Sequence, residues 1–373
     1  MKKWNNILFI LIFILMLTLP LVTMDLRKDQ ISEIDNQYLP EIEGETTSEL
    51  VRSVENYVNA RIGFRAQSLD TYQWLNDRLF GILEHPNYIY GKEDHIFYDS
   101  NKYITDWQHL NLDQSWADGF AAGIKGFETY AESQGKGFVY LLIPDKKTVY
   151  SEYFPEEYLI KGELSRTDQV LSALEREDVN FYWAKDTMLT AKEEMPVNNK
   201  KYDAEHWNEN GAFVVFQQLY EEIRTFYPQV TPLSAEEFVV GEQVEETLLT
   251  SRFRIDEKVP LYTLKESNAI DDKVWLEKSV FFLSKQSDYR TRYLNPTQSD
   301  KPKLLVFHDS YLMHKEKFFT EHFSEVTFIH RYNVRNQEVF ERYVDLLDPD
   351  MIVYENPERS FPINLYRKYT FKD

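Results

Sequence analysis

Hydrophobic and polar positions follow three successive patterns along the chain. After Lys2 and Lys3 comes an uncharged, largely apolar run from Ile7 to Met24. As a helix rising 1.5 Å per residue it spans about 27 Å, close to a hydrocarbon core of about 30 Å. It ends Leu21-Val22-Thr23-Met24-Asp25 with no small-residue cleavage pattern, so it reads as an uncleaved membrane anchor rather than a signal peptide. Asp25 to about Thr47 is polar, acidic and weakly patterned, the character of a stalk. Glu49 to Phe80 then alternates apolar and charged positions at helical spacing until Gly81 and Pro86 break it.

The third pattern fills the rest. Tyr88–Tyr90 and Ile96–Tyr98 read as short strands joined through Lys92–His95. Phe120, Ile124, Phe127 and Ala131 mark one face of a helix that Gly135 stops. Gly137–Ile143 is apolar throughout, as a strand buried on both faces must be. Ala212, Val215, Phe216, Leu219, Ile223 and Phe226 mark another amphipathic helix. Near the C-terminus the spacing predicts strand (Leu304–Phe307), helix (Leu312–Phe323), strand (Val326–Ile329), helix (Val339–Leu347) and strand (Met351–Tyr354). Strands and helices alternating in this way imply an α/β fold with a mainly parallel sheet and right-handed crossovers. Residues 1–24 are thus read as anchor, 25–50 as stalk and 51–373 as one α/β domain. Within it, 232–300 has no clean period and reads as a lid, a sheet extension or a small insertion.

Composition narrows the function. The chain carries 42 Lys+Arg against 62 Asp+Glu, a net charge of −20, with no Lys/Arg-rich block, which argues against binding nucleic acid. Cysteine is absent, which removes disulfides, Cys-ligated metals and thiol catalysis together. No His-x-x-x-His pair meets a third ligand in a readable arrangement, so no metal site and no cofactor are assigned. The lysines before the apolar run and Arg27 and Lys28 after it nearly balance. The reading adopted puts the short N-terminus inside and the body outside.

Open α/β sheets place their sites at the carboxyl ends of strands. There Leu304–Phe307 runs into His308-Asp309-Ser310, with a predicted helix following. A serine at that corner is exposed, and free N–H groups at a helix start stabilise an oxyanion. The plain alternative is that Asp309 or Ser310 caps the helix. A serine nucleophile needs a base, and Lys201-Tyr202-Asp203-Ala204-Glu205-His206-Trp207-Asn208 supplies an Asp three residues before a His. A turn brings such positions together, so Asp203 can orient His206. The alternative is a solvated histidine ahead of a helix.

Taken together, these segments resemble the SGNH-hydrolase-like family of alginate and cell-wall-polysaccharide O-acetyltransferases. Asp203-x-x-His206-Trp207-Asn208 with Gly211-Ala212 matches one family segment, and His308-Asp309-Ser310-Tyr311 the nucleophile segment. Ile143–Tyr150 with Phe154-Pro155, Asp348–Arg359, Gly63-Phe64-Arg65 and Tyr90-Gly91-Lys92 fit as well. His308 replaces a common Gly, and many relatives place the Asp one residue nearer the His. The resemblance implies an SGNH-hydrolase-like three-layer domain behind a single membrane anchor. It implies a triad of Ser310 nucleophile, His206 base and Asp203. Backbone N–H groups near Ser310 and Tyr311, with Arg331, would hold the oxyanion, and Lys146 and Tyr150 would touch substrate. Their plainer readings are a surface salt bridge for Arg331 and loop packing for Lys146 and Tyr150.

Acetyl would pass through an acetyl-serine to hydroxyls of an extracytoplasmic envelope polysaccharide. The donor implied is a multi-pass membrane acyltransferase, because acetyl-CoA does not occur outside the cell. Two other readings stay open. One is a polysaccharide acetylesterase with the same triad, the other a non-catalytic envelope scaffold.

Overall fold

The structure is a computed structural model. It describes residues 2–27, 30, 32, 38–44, 46–80, 87–98, 103–249, 253–272, 290–334 and 336–360. The expected breaks at Gly81 and Pro86 and part of the expected stalk lie outside these residues. The chain divides into two compact units, Met1–Pro86 with Thr247–Ile255, and Asn87–Glu246 with Asp256–Asp373.

In the first unit, α1 (Lys2–Val22) is followed by α2 (Thr47–Arg61) and α3 (Arg65–Phe80). The helical apolar stretch stops at Val22, so Ile7–Val22 rises about 24 Å. Among the described residues no helix is long and apolar enough to cross a membrane. The apolar side chains of α1 are nevertheless exposed from Ile7 to Leu17 and again at Leu19, Leu21 and Val22. Glu49–Phe80 is two helices rather than one, since Ile62–Phe64 turns the chain and Phe64 is left-handed at φ 63°. The buried Arg61 fixes that corner. Its guanidinium donates to the carbonyls of Asp25 and Arg27 and pairs with Glu41 at 2.6 Å.

The second unit starts with the antiparallel pair β1 (Tyr88–Tyr90) and β2 (Ile96–Tyr98). Then come α4 (Tyr103–Trp107), α5 (Gln114–Ser133), β3 (Gly137–Ile143), α6 (Lys146–Val149), α7 (Arg166–Arg176), β4 (Phe181–Trp183), α8 (Lys185–Ala191) and α9 (Glu209–Phe226). A ribbon of β5 (Phe238–Thr247) and β6 (Arg254–Leu264) is followed by β7 (Ile270–Asp271), β8 (Arg290–Leu294), β9 (Lys303–His308), β10 (Glu325–His330), α10 (Gln337–Leu347) and β11 (Met351–Pro357). Gly135 stops α5 as expected, because its φ of +71° suits a residue without a Cβ.

The main sheet has seven strands in the order β4-β3-β11-β9-β10-β8-β7. The first five are parallel, and β8 and β7 extend one edge antiparallel. Region 232–300 is therefore a ribbon plus a sheet extension, with 273–289 outside the described residues. Every residue of β3 and of β11 is buried, which explains the unbroken apolar character of Gly137–Ile143 and Met351–Tyr354. The pleat divides them. Val139, Leu141, Ile143, Leu304, Val306 and Val353 pack with α8 and α9. Phe138, Tyr140, Leu142, Leu305, Phe307, Ile352 and Tyr354 pack with α5, α7 and α10. Helices cover both faces, giving the three-layer α/β architecture expected.

One expected element is absent. Leu312–Phe323 is not a helix; only the short 3₁₀ turns Ser310–Leu312 and Glu316–Phe318 form there. His314 is left-handed at φ 62°, which interrupts any helix. Leu312, Phe318, Phe319 and Phe323 are all buried against α9 and the sheet.

Candidate active site

The sheet's strand order reverses around β11, which lies between β3 and β9. Open α/β sheets form crevices at such a point, beyond the strands' carboxyl ends. Ser310 follows β9, Arg331 follows β10, and Glu358 and Arg359 follow β11.

The segment 196–208 is folded on itself before α9. Asn198 and Trp207 form an isolated antiparallel bridge, Asn198 Nδ2 donates to the His206 carbonyl, and Asn208 caps α9 by accepting from Gly211 N–H. A Cβ on Gly211 would lie 2.3 Å from the Val197 carbonyl oxygen, so the close return of the chain requires glycine. Asp203 Oδ1 accepts the N–H groups of Glu205 and His206 at 3.0 Å each, fixing the carboxylate before it meets the imidazole. Its Oδ2 then lies 2.9 Å from His206 Nδ1.

Two buried aromatics join this segment to the one that carries Ser310. Trp207 Nε1 donates to the Tyr311 carbonyl at 2.7 Å, and Tyr311 Oη donates to the Glu205 carbonyl at 2.9 Å. His206 Nε2 consequently reaches Ser310 Oγ at 2.9 Å. The three residues read from the sequence, Ser310, His206 and Asp203, are brought together in hydroxyl–imidazole–carboxylate order. The His206 and Asp203 side chains are both half-buried.

Charge follows from this geometry. Burial opposes ionisation of Asp203, but His206 and the two N–H donors outweigh it and hold the carboxyl well below the usual range. Burial also disfavours a charged His206; Asp203 and Glu205 overcome it and raise the imidazole above its ordinary 6.5. With Asp203 on Nδ1, Nε2 is the nitrogen that faces the Ser310 hydroxyl.

Arg359 is the residue that reading the sequence did not assign. Its Nη2 lies 3.2 Å from His206 Nε2 and 3.4 Å from Ser310 Oγ, and its guanidinium stacks 4.8 Å over the Tyr311 ring. Glu205 pairs with it at 2.5 Å. Burial opposes the guanidinium's charge, but Glu205 outweighs it and keeps Arg359 charged. Its Nη1 is buried with no hydrogen-bond partner. The available clue was the Glu355-Asn356-Pro357-Glu358-Arg359 stretch at a strand's carboxyl end.

Other candidates fall elsewhere. Arg331 is buried and ion-paired with Asp309, its Nε 2.7 Å from Oδ2. Asp309 in turn accepts from the Ser310 N–H and hydroxyl through Oδ1 at 2.6 and 2.7 Å. Burial resists its charge, yet Arg331 keeps Asp309 well below the usual carboxylate range. The Asp309 N–H donates to Glu355 at 2.5 Å. Burial and then the Asp309 charge push that second carboxyl well above its ordinary range.

Lys146 is fully buried and donates to the carbonyls of Ile96 and Lys200 at 2.6 and 3.1 Å. Burial brings its amine down to about 8. Tyr150 packs in the core and its Oη accepts from Val197 N–H at 3.1 Å. Both side chains hold loops, which matches their plainer reading. Tyr311 is buried as well and acts through the contacts above. The expected helix dipole behind Ser310 is missing, since a three-residue turn stands there. Among the described residues no group of His, Asp and Glu could hold a metal ion.

Residues 89–266 match the family model described as SGNH hydrolase-like domain, acetyltransferase AlgX. The chain resembles the SGNH hydrolase-like acetyltransferases. The matched stretch contains Asp203 and His206 and ends before Ser310. No curated protein matches the chain. Among solved structures, Bacillus cereus PatB1 superposes with a TM-score of 0.55 at 13% identity, covering 74% of this chain and 97% of that one. PatB1 with a sulfonyl adduct gives 0.53 at 13% identity, with 70% and 95% covered. The O-acetyltransferase domain of Pseudomonas putida AlgJ gives 0.48 at 16% identity, with 75% and 93% covered, too loose to carry an argument. At such identities the likeness to PatB1 is one of fold, an SGNH-hydrolase-like α/β domain with a mixed sheet.

Proposed function

We propose that this chain is a serine-dependent O-acetyltransferase acting on hydroxyls of an extracytoplasmic envelope polysaccharide. The observation that carries the reading is the 2.9 Å contact of His206 Nε2 with Ser310 Oγ, backed by Asp203 on Nδ1. The match of residues 89–266 to an acetyltransferase family supports acetyl as the group moved.

The serine hydroxyl turns from Asp309 Oδ1 to His206 Nε2 and gives it the proton while Oγ bonds to the acetyl carbonyl carbon. The donor's carbon–oxygen bond then breaks, and the leaving oxygen takes the proton from the imidazolium. In the second half a sugar hydroxyl gives its proton to Nε2 and attacks the acetyl-serine, and Oγ leaves with the proton. Arg359 beside Oγ, with the Tyr311 N–H, stabilises the oxyanion in place of the missing helix dipole. The Ser310 N–H is already given to Asp309.

The exposed apolar side chains of α1 support seating that helix in a membrane, and the proposed reading puts the body outside the cytoplasm. A multi-pass membrane acyltransferase would present the acetyl donor. The test incubates the protein with an activated acetyl ester and polysaccharide fragments. The expected result is an acetylated Ser310 in the mass spectrum, then acetylated fragments, both lost in Ser310→Ala. Release of free acetate alone, with acceptors saturating, would make the chain an esterase. No labelling of Ser310 would leave the scaffold reading.

A further inference from the structure

The segment bearing Asp203 and His206 is gripped from a direction the mechanism does not use. In β6, the Glu257 carboxylate accepts three successive backbone N–H groups, those of Lys200, Lys201 and Tyr202, at 2.5, 2.8 and 2.6 Å. Bonds from a concave run of N–H groups to an ionised carboxylate are among the stronger ones a protein makes. They end one residue before Asp203. On the opposite side of the same peptide, the Lys200 carbonyl accepts from Ile96 N–H and from buried Lys146.

The same strand also holds the far end of the segment. Tyr262 N–H donates to Glu209 Oε2 at 2.6 Å, and Tyr262 Oη donates to Asn210 Oδ1 at 3.2 Å, both in the first turn of α9. Lys317, downstream of the serine, donates to Glu209 Oε1 and to the Tyr262 carbonyl at 2.6 Å each. Thus β6 brackets Asp203–His206 before and after, and ties in the nucleophile's own segment.

We infer that Glu257 is a positioning residue for His206, and that the β5–β6 ribbon is the splint that keeps the imidazole aimed at Ser310. Its importance for turnover rests on the function proposed above; its effect on the imidazole does not. A carboxylate alone accepts three N–H groups without presenting a donor of its own. An amide there turns an NH₂ toward at least one of them, and the loop must give way at the residue next to Asp203.

The test compares wild type, Glu257→Gln and Glu257→Asp, with Glu242→Gln on the exposed outer ribbon as control. It follows melting temperature, kcat and KM on an activated acetyl ester, and the His206 imidazole titration by NMR, assigned with His206→Asn. In Glu257→Gln, kcat should fall at least about tenfold with KM within about twofold. The imidazole midpoint should move down as Asp203 loses alignment, while Glu242→Gln matches wild type. If Glu257→Gln does not fold, Glu257→Asp is read the same way, its shorter reach releasing one or more N–H groups. A folded variant that melts earlier but keeps the wild-type kcat and imidazole midpoint overturns the inference. If wild type turns over no ester yet the midpoint still drops in the variant, positioning stands and the acyltransfer reading fails.

Discussion

Arg359 Nη2 stands 3.2 Å from His206 Nε2, the nitrogen that also receives Ser310 Oγ. A guanidinium at that distance opposes a proton on Nε2, while Asp203 on the other nitrogen favours the imidazolium. The base is set between the two.

The pH profile follows from that balance. His206 works as a base only when neutral, and its midpoint is raised above 6.5, so kcat/KM on an acetyl ester should rise with pH through a midpoint above 6.5. Asp203→Asn removes the raising charge, so the midpoint falls, and kcat drops by about 10⁴-fold as the tautomer is lost. Arg359→Gln removes a lowering charge and frees Glu205, so the midpoint climbs. Initial rates from pH 5 to 9 check all three.

Arg359→Ala should also cost activity directly. Losing one oxyanion donor lowers kcat by about 10²-fold to 10³-fold. The same change leaves Glu205 without its guanidinium, and breaking a buried pair costs about 3–5 kcal/mol. Denaturant unfolding of Arg359→Ala and of Arg359→Ala/Glu205→Ala separates the effects: the double variant should recover stability but not kcat.

Arg331 is expected to behave otherwise. It meets Asp309, which meets Ser310, so Arg331→Ala should lower stability by about 3–5 kcal/mol and reduce kcat through a displaced Asp309. KM for the acceptor should stay the same. A KM that rises with kcat unchanged would return Arg331 to a substrate-binding role.

Trp207→Phe should keep most of the packing and lose one hydrogen bond, that to the Tyr311 carbonyl. The bond itself is worth about 1 kcal/mol of stability. Because it joins the base segment to the nucleophile segment, kcat should fall by more than that figure alone gives, with the melting temperature lowered only slightly. Thermal melts beside ester turnover check this.

Much of this was legible in the sequence because burial on both faces leaves an unmistakable pattern. Gly137–Ile143 and Met351–Tyr354 are apolar at each step, and the structure makes them adjacent central strands. The pairing of Asp203 with His206 was legible because a turn of three residues is local. Leu312–Phe323 misled because Leu312, Phe319 and Phe323 keep the spacing of a helix face, whereas left-handed His314 divides the stretch into short turns. Arg359 was missed because its meaning lies in partners about 49 and 153 positions away. Lys146 and Arg331 sit at strand ends, yet their charge is spent on loop carbonyls and on Asp309. The Glu257 grip was hidden in a stretch without period.

The position of β11 bears on how the molecule is made. Of the described strands it is the last to leave the ribosome, yet its neighbours on either side, β3 and β9, were synthesised long before. Until residue 357 is available, β3 and β9 have no common partner, and Arg359 does not yet stand beside Ser310. Pairings between such distant stretches form slowly. A nascent chain therefore holds Ser310 and His206 without Arg359, and without the strand that joins β3 to β9, until β11 has been made.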